Sequence, residues 1–471
     1  MPLSKISFCN ARNLSALILC VYTLWRFGIA FYPELSKIKS DPASYDIGDG
    51  YDYRTLGESL AQELEYKRSV DSKPYSVRLP GYPIFVAFIM KISGKHWLKA
   101  LFVSHILFNL AAVLGIFFIV DRLRGWKAAL LAGFIAASYA PYHCVCFLIY
   151  REAMTLALFV LFLALLLSSN YDSKRTYIVV GSLLALTCMV REEFILLLCP
   201  LTLLIWKKEA SFSFKYEKLK PVLLKCAIIA GIFAIVFMPW IIRNYLVFGR
   251  LQILGTNGGM LFHKGNNMEL CESGEIDYAF YYEAPELKTM SHHEVSSLYA
   301  KRAFEFILKN PWMELKNLAR KVCILYSESI DNFDDLPFIL FGLFIGALIV
   351  SFLKLEGIAA LTAMFISVIS AYIYGRNGFN ISLLAPNIEF GLLKYIGFAG
   401  MAYAAYKKIE RHYIIVYFML FMVNVIFIPQ HRQRWIMDCL FMIWASIFLF
   451  DLLKYLAHTD WRERLFSRKT T

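Results

Sequence analysis

The apolar residues of this chain come in repeated runs of roughly 17 to 25 residues, the length at which a helix crosses a hydrocarbon core. That pattern constrains the fold more than any motif does. A helix in water keeps one polar face, whereas a helix that is apolar all round must be surrounded by lipid or by protein. Of the 471 residues, 58% are hydrophobic and only 18% are charged. The sequence therefore predicts an all-α polytopic membrane protein.

The formal net charge of +13 raises the question of nucleic acid. Its distribution answers it. Lys207, Lys208, Lys215, Lys218, Lys220 and Lys225 fill one short stretch between apolar runs, Lys407, Lys408 and Arg411 another, and Arg462, Arg464, Arg468 and Lys469 the tail. Basic residues in short connections hold those connections in the cytoplasm. We expect membrane lipids, and no nucleic acid, as partners. Of the ten cysteines, most fall within or beside apolar runs and read as small core residues. Cys271 and Cys323 share a polar loop, but their spacing does not support a disulfide. No CxxC pair or HExxH motif occurs, and His292-His293 reads as a solvated pair rather than a zinc site.

The same charges set the topology. Leu14 to Pro33 follows Lys5 and Arg12 without a small-residue cleavage site and reads as an uncleaved first span. Pro80 to Ser93 is apolar but short. If it crosses, the lysine-rich stretch 207–225 falls outside, against the positive-inside rule; if it lies at the outer interface, that stretch, Arg122 to Lys127 and Lys174-Arg175 all fall inside. The interfacial arrangement follows, with further spans at 97–120, 128–147, 153–169, 177–190, 194–206, 226–242, 337–353, 357–374, 390–406, 413–428 and 435–453. That makes about twelve crossings with both termini inside. Arg26, within the first span, is read equally as a packed or a functional residue.

Three regions result: residues 1–242 with a first outer loop at 34–96, an outer segment at 243–335, and C-terminal spans with a tail at 336–471. The outer segment is too long and polar for an ordinary connection. In it, Ser291-His-His-Glu294 is a capping box opening a helix with Val295, Leu298, Tyr299, Ala303 and Phe306 on one face. Asn310-Pro311 ends that helix, and Leu315, Leu318, Ala319 and Val322 mark the next.

With this topology the charges outside the cytoplasmic loops converge on one membrane face: Asp46, Asp49, Asp52 and Arg78, then Arg151 and Glu152, then Arg191, Glu192 and Glu193, then Arg243, and finally His431, Arg432 and Arg434. Acids interleaved with arginines suit a reaction on a phosphate-bearing lipid headgroup. Sugar transfer from a polyprenyl phosphate needs a carboxylate to orient and deprotonate the acceptor hydroxyl. Its leaving group is already a phosphate, so arginine forks rather than a second acid meet the developing charge. Asp49 precedes a helix with Tyr53, Leu56, Leu60 and Leu64 on one face, so the helix dipole favours its ionised form, and simple N-capping is the alternative role.

The runs GDGYDYRTLGESLAQ and RLPGYPIFVAF, followed by YRE at Glu152, VREE at Arg191, MPWIIRNYLVFGR from Met238, TNGGMLFHKGNN from Thr256 and HRQRW at Arg434, resemble the bacterial GT-C membrane glycosyltransferases of the protein O-mannosyltransferase and aminoarabinose transferase group. The resemblance implies a GT-C fold with two interfacial helices after the first span. It also implies a polyprenyl-phosphate-linked sugar as donor and a lipid, glycan or protein as acceptor, met at the periplasmic face of a bacterial inner membrane. Carried over, it makes Asp49 the catalytic base and Glu152 a second acid that binds acceptor or metal. Asp52 is the nearest rival for the base, and Asp52 and Tyr53 stand at the substrate. Arg78, Arg191, Arg432 and Arg434 would hold the lipid phosphate, while Arg243 and Asn266 belong to motifs flanking the outer segment, with loop architecture their first role and substrate contact their second. A divalent cation, Mg or Mn, between Asp49 and Glu152 is left open. Glu192 stands where many relatives carry proline, and Arg432-Gln433-Arg434 departs from the usual terminal motif. A transporter or flippase is the alternative function, but it would carry internal repeats and charges at mid-membrane depth.

Overall fold

The computed structural model describes residues 11–25, 27, 48–69, 73–168, 174–273, 290–326, 384–429 and 431–458, and the described residues form helices and loops without strands. Asp46, Arg26, the spans expected at 337–353 and 357–374 and the basic tail lie outside these residues.

After the first apolar helix, α1 (Ala11–Trp25), the chain builds α2 (Gly50–Gln62) and α3 (Gly81–Ser93). The 44-residue apolar stretch Gly81–Arg124 is not one rod. Gly94 takes φ 51°, a conformation open to glycine because it has no Cβ, and the chain doubles back into α4 (Trp97–Arg124). Tyr82 Oη therefore lies 3.0 Å from His105 Nε2, where a straight helix would hold them about 35 Å apart. α3 has 13 residues, about 20 Å of helix, too short for the ~30 Å apolar core. It packs Tyr82, Val86 and Ile89 inward and leaves Ile84, Phe88 and Ile92 exposed as a stripe. These features match the interfacial helix expected from the charges. α2 lies across it so closely that a Cβ on Gly57 would come 2.7 Å from Val86 Cγ1.

Then follow α5 (Trp126–Ser138), α6 (Ala140–Cys144), α7 (Glu152–Ser168), α8 (Lys174–Val190), α9 (Leu198–Ala210) and α10 (Tyr216–Phe248). The span expected at 128–147 is broken: the helices meet at a 54° bend, with Tyr139 extended just ahead of Pro141. Lysines expected in a loop at 207–225 mostly extend helices instead. Lys207 and Lys208 lie near the end of α9, and Lys218, Lys220 and Lys225 lie in α10, where Lys225 pairs with Glu209 at 2.6 Å.

Residues 243–335, the segment expected to lie outside, hold α11 (Gly258–Gly265), α12 (Met268–Ser273), α13 (His292–Lys309) and α14 (Pro311–Tyr326) among the described residues. The capping box at Ser291 and Glu294 forms as the sequence indicated. α13 buries Tyr299 and Ala303, and Asn310 separates it from α14. Cys271 is a free thiol. α15 (Leu384–Tyr406), α16 (Arg411–Ile426) and α17 (His431–His458) complete the described chain. α17 is mostly buried and α10 mostly peripheral. Small residues let α15 approach α17: a Cβ on Gly400 would fall 2.4 Å from the Trp444 carbonyl oxygen. Without a hydrophobic drive between helices in lipid, such close backbone packing is what holds them.

Among the described residues, three helical stretches are long and apolar enough to cross a membrane, or four counting the bent pair. The helices at 11–25, 152–167, 175–190 and 412–426 are apolar but shorter. The protein is an integral membrane protein.

Candidate active site

Five separated pieces of sequence meet: the entry to α2, the loop before α3, the entry to α7, the turn after α8, and the start of α17. Glycines permit the approach. Gly48 takes φ 54°, and a Cβ there would lie 2.7 Å from Tyr150 Oη. At Gly81 a Cβ would lie 2.6 Å from the Met189 carbonyl oxygen, so this glycine lets the Arg78 loop close on the turn carrying Arg191.

Asp49 occupies the N-cap position of α2, but its side chain makes no cap hydrogen bond. It is held by arginines instead. Arg78 Nη2 donates to Asp49 Oδ1, and Arg432 Nη2 lies 2.7 Å from Oδ2. Arg78 also donates from Nε to Asp52 Oδ2 at 3.2 Å, an oxygen that also accepts from Tyr75 Oη at 2.8 Å, and Arg68 lies 3.7 Å from Asp52 Oδ1. The two rival aspartates therefore share one arginine, and only Asp49 also meets α17. The Arg78 guanidinium stands 5.8 Å from the Tyr53 ring and that of Arg432 5.2 Å from the Tyr150 ring.

Beside this pair lies a second one. Arg191 is 1% exposed, with Nη1 4.0 Å from Glu152 Oε1 and Nε 2.7 Å from Glu193 Oε1. Arg151 donates to the Val190 carbonyl at 2.9 Å and lies 3.7 Å from Glu192. Glu152 Oε2, Arg191 Nη1 and Tyr53 Oη are buried without a hydrogen-bond partner. Buried polar atoms are normally satisfied, so three orphans in one cluster mark a place for a ligand or water.

The electrostatics follow from this crowding. Burial alone would raise the Asp49 pKa, but Arg78, Arg432 and Arg151 hold its carboxyl well below the usual range. Burial likewise opposes ionisation of Glu193, and Arg191 and Arg151 prevail, lowering its pKa. Tyr53, by contrast, is pushed up to about 12 by burial and keeps its proton. The arginines in turn stay charged. Burial lowers the pKa of Arg78, but Asp49 and its neighbours raise it above its ordinary value.

Of the residues expected at the site, Asp49, Asp52, Tyr53, Arg78, Glu152, Arg191 and Arg432 come together. Arg243, Asn266 and Arg434 are used elsewhere. Arg243 donates to the carbonyls of Tyr66 at 2.8 Å and Tyr75 at 3.0 Å, tying α10 to the loop between α2 and α3. Asn266 donates to the Ile426 carbonyl at 2.9 Å and accepts from Lys321 at 2.7 Å. Arg434 donates to the Leu325 carbonyl at 2.9 Å and lies 3.6 Å from Asp438, inside the bundle. Arg151, Glu193 and Tyr150, absent from the expected set, join the cluster. Their signal was adjacency to Glu152 and Arg191 in the YRE and VREE runs.

A divalent cation does not fit this arrangement. Both Asp49 oxygens face guanidiniums, and among the described residues no group of three or more His, Cys, Asp or Glu side chains converges as a ligand set.

Residues 72–242 match the dolichyl-phosphate-mannose-protein mannosyltransferase family. No curated protein matches the chain in sequence. Among solved structures, the apo oligosaccharyltransferase of Archaeoglobus fulgidus superposes with a TM-score of 0.50 at 14% identity, over 94% of this chain and 51% of that one. The same enzyme tethered to an acceptor peptide containing the NVT sequon superposes with a TM-score of 0.50 at 13% identity, over 94% and 50%. This chain thus spans about half the length of the archaeal chains it matches. In its fold, and over residues 72–242, the chain is similar to the GT-C membrane glycosyltransferases, the resemblance that its motifs carry.

Proposed function

We propose that the protein is a membrane glycosyltransferase that moves a sugar from a polyprenyl-phosphate-linked donor to a lipid, glycan or protein acceptor, at the outer face of a bacterial inner membrane. The observation that carries this is the Asp49 carboxylate lying between Arg78 and Arg432, beside the buried Glu152 and Arg191. The family description, which names a polyprenol phosphate sugar and a protein, supports the donor and acceptor classes.

In this reading the donor phosphate docks on Arg432 and Arg78. Asp49 takes the proton from the acceptor hydroxyl, whose oxygen forms a bond to the anomeric carbon. The bond from that carbon to the phosphate oxygen breaks, and the electron pair leaves with the polyprenyl phosphate, whose charge the guanidiniums meet. An acid held so far below the usual range is a weak base. It gains basicity when the phosphate draws an arginine from it, so donor binding itself prepares the base. Glu152 orients the acceptor. Residues 1–242 would form the catalytic module, with 243–335 as an outer cover and 336–471 supplying Arg432.

The test is transfer by purified protein in detergent or liposomes, from radiolabelled polyprenyl-phosphate mannose, glucose and arabinose to lipid, glycan and peptide acceptors. Release of polyprenyl phosphate with labelled acceptor is expected and should persist in EDTA. No consumption of any donor with any acceptor would overturn the reading.

A further inference from the structure

α10 ends at Gly249, whose φ of 65° lets the chain turn back, and residues 252–256 then run along the loop that carries Arg78. Asn244 Nδ2, near the end of α10, donates to the Gln252 carbonyl at 3.1 Å. Gln252 Nε2 donates to the Leu254 carbonyl at 2.9 Å and to the Ser76 carbonyl at 3.3 Å. The Thr256 backbone N–H donates to that same Ser76 carbonyl at 3.0 Å, and the hydroxyls of Ser76 and Thr256 lie 3.3 Å apart. Ser76 and Thr256 are both buried.

Gly255 sits among these bonds. Its φ is not positive, so backbone conformation alone would admit any residue there, but space does not. A Cβ at Gly255 would lie 2.5 Å from the carbonyl oxygen of Val77, the residue before Arg78. That oxygen is backbone, so a methyl group fits only if the loop moves. On the other side of the loop, the Arg78 carbonyl accepts from Tyr66 Oη at 3.0 Å. The loop is therefore clasped at 76–77 by the strap and at 78 by Tyr66, while the Arg78 side chain divides between Asp49 and Asp52. A guanidinium fork binds in a fixed geometry, so what it can reach depends on where its backbone stands.

We infer that the strap 252–256 positions Arg78 for the phosphate of the lipid-linked donor, with Gly255 as the positioning residue. Its missing side chain sets how closely the strap and the loop approach, and with that how far the guanidinium extends toward Asp49. The strap acts through the backbone of residues 76–78 and does not itself meet the phosphate. The inference rests on the proposed function for the identity of the ligand and deepens it by tying the segment after α10 to the donor site.

The test is equilibrium binding of sugar-free polyprenyl phosphate to the full chain in detergent, for wild type, Gly255→Ala, Arg78→Lys and the double variant, with thermal unfolding alongside. Lysine keeps the charge but not the fork, so it is less sensitive to where the loop stands. Each single variant is expected to bind about three- to tenfold more weakly, and Gly255→Ala should cost less than about twofold once Arg78 is lysine. Gly400→Ala is the control for damage to the fold: its Cβ would fall 2.4 Å from the Trp444 carbonyl oxygen, so it should lower the thermal midpoint as Gly255→Ala does and leave lipid affinity unchanged. Unchanged affinity in Gly255→Ala, full additivity with Arg78→Lys, or an equal loss in Gly400→Ala would overturn the inference and leave the transferase reading in place. Coupled loss of binding in a protein that transfers no sugar from any donor would support the strap and sink the transferase reading alone. No lipid binding by wild type, or none lost in Arg78→Lys, would overturn the inference together with the phosphate site it rests on. Should Gly255→Ala fail to fold, Gln252→Leu, which removes the amide donor to Ser76 without adding bulk, decides the same cycle, with an expected loss of about two- to fivefold beside Arg78 and none beside lysine.

Discussion

Replacing Asp49 with asparagine separates a catalytic from a structural carboxylate, because the two roles move donor binding in opposite directions. Asparagine keeps the shape but removes the charge that Arg78 and Arg432 share. At about 4 Å and an effective dielectric of about 20, each such attraction is of order 4 kcal/mol before solvent and competing partners offset it. Both guanidiniums are thereby released toward an incoming phosphate, so Asp49→Asn should bind sugar-free polyprenyl phosphate as tightly as wild type or up to about tenfold more tightly, about 1.4 kcal/mol. Loss of the base should lower kcat by about 10²- to 10⁴-fold, roughly 2.7 to 5.4 kcal/mol. The fold loses part of two charge-assisted bonds, about 1–2 kcal/mol, visible as a modest fall in the thermal midpoint. Parallel measurement of turnover, lipid binding and thermal unfolding checks all three. Turnover within threefold of wild type would refute the base. Weaker lipid binding together with lost turnover would refute the shared-arginine reasoning and make Asp49 a structural residue.

Other expectations rest on single features. Gly48→Ala places a side chain at φ 54° beside Tyr150 and should cost about 1–2 kcal/mol, with turnover falling because Asp49 is the next residue. Ser291→Ala removes the capping box of α13 and should cost about 1 kcal/mol in thermal unfolding while leaving transfer within twofold. Asp49 and Glu193 have depressed folded pKa values, so their stabilisation is present above the unfolded carboxylate pKa of about 4 and is lost as pH falls below it toward the folded values. The thermal midpoint should thus fall more steeply with acid in wild type than in Asp49→Asn. Equal slopes below pH 4 would contradict the assignment.

Much of this was legible in the sequence for a physical reason. Membrane embedding depends on how apolar runs partition between bilayer and water, and partitioning is a property of composition over short windows. The shortness of Pro80 to Ser93 was enough to set α3 apart from the span that follows it, and α3 is a separate helix of 13 residues. The capping box at Ser291 was legible for a similar reason, since its two partners are three residues apart. The 54° bend at Tyr139 was not, because a proline in an apolar run permits a kink without requiring one.

What the sequence determined by itself was a membrane-embedded helical chain with acids and arginines on one face. Which of them meet was decided only by the tertiary structure. Arg432 and Arg434 are two residues apart and read alike, yet one turns to Asp49 and the other into the bundle toward Asp438, because residues two apart on a helix point about 200° away from each other. Asp49 was the base expected from the sequence, with Asp52 its nearest rival. Their difference is that α17, nearly 400 positions later in the sequence, brings its arginine to only one of them, and no local pattern encodes a contact made across that distance.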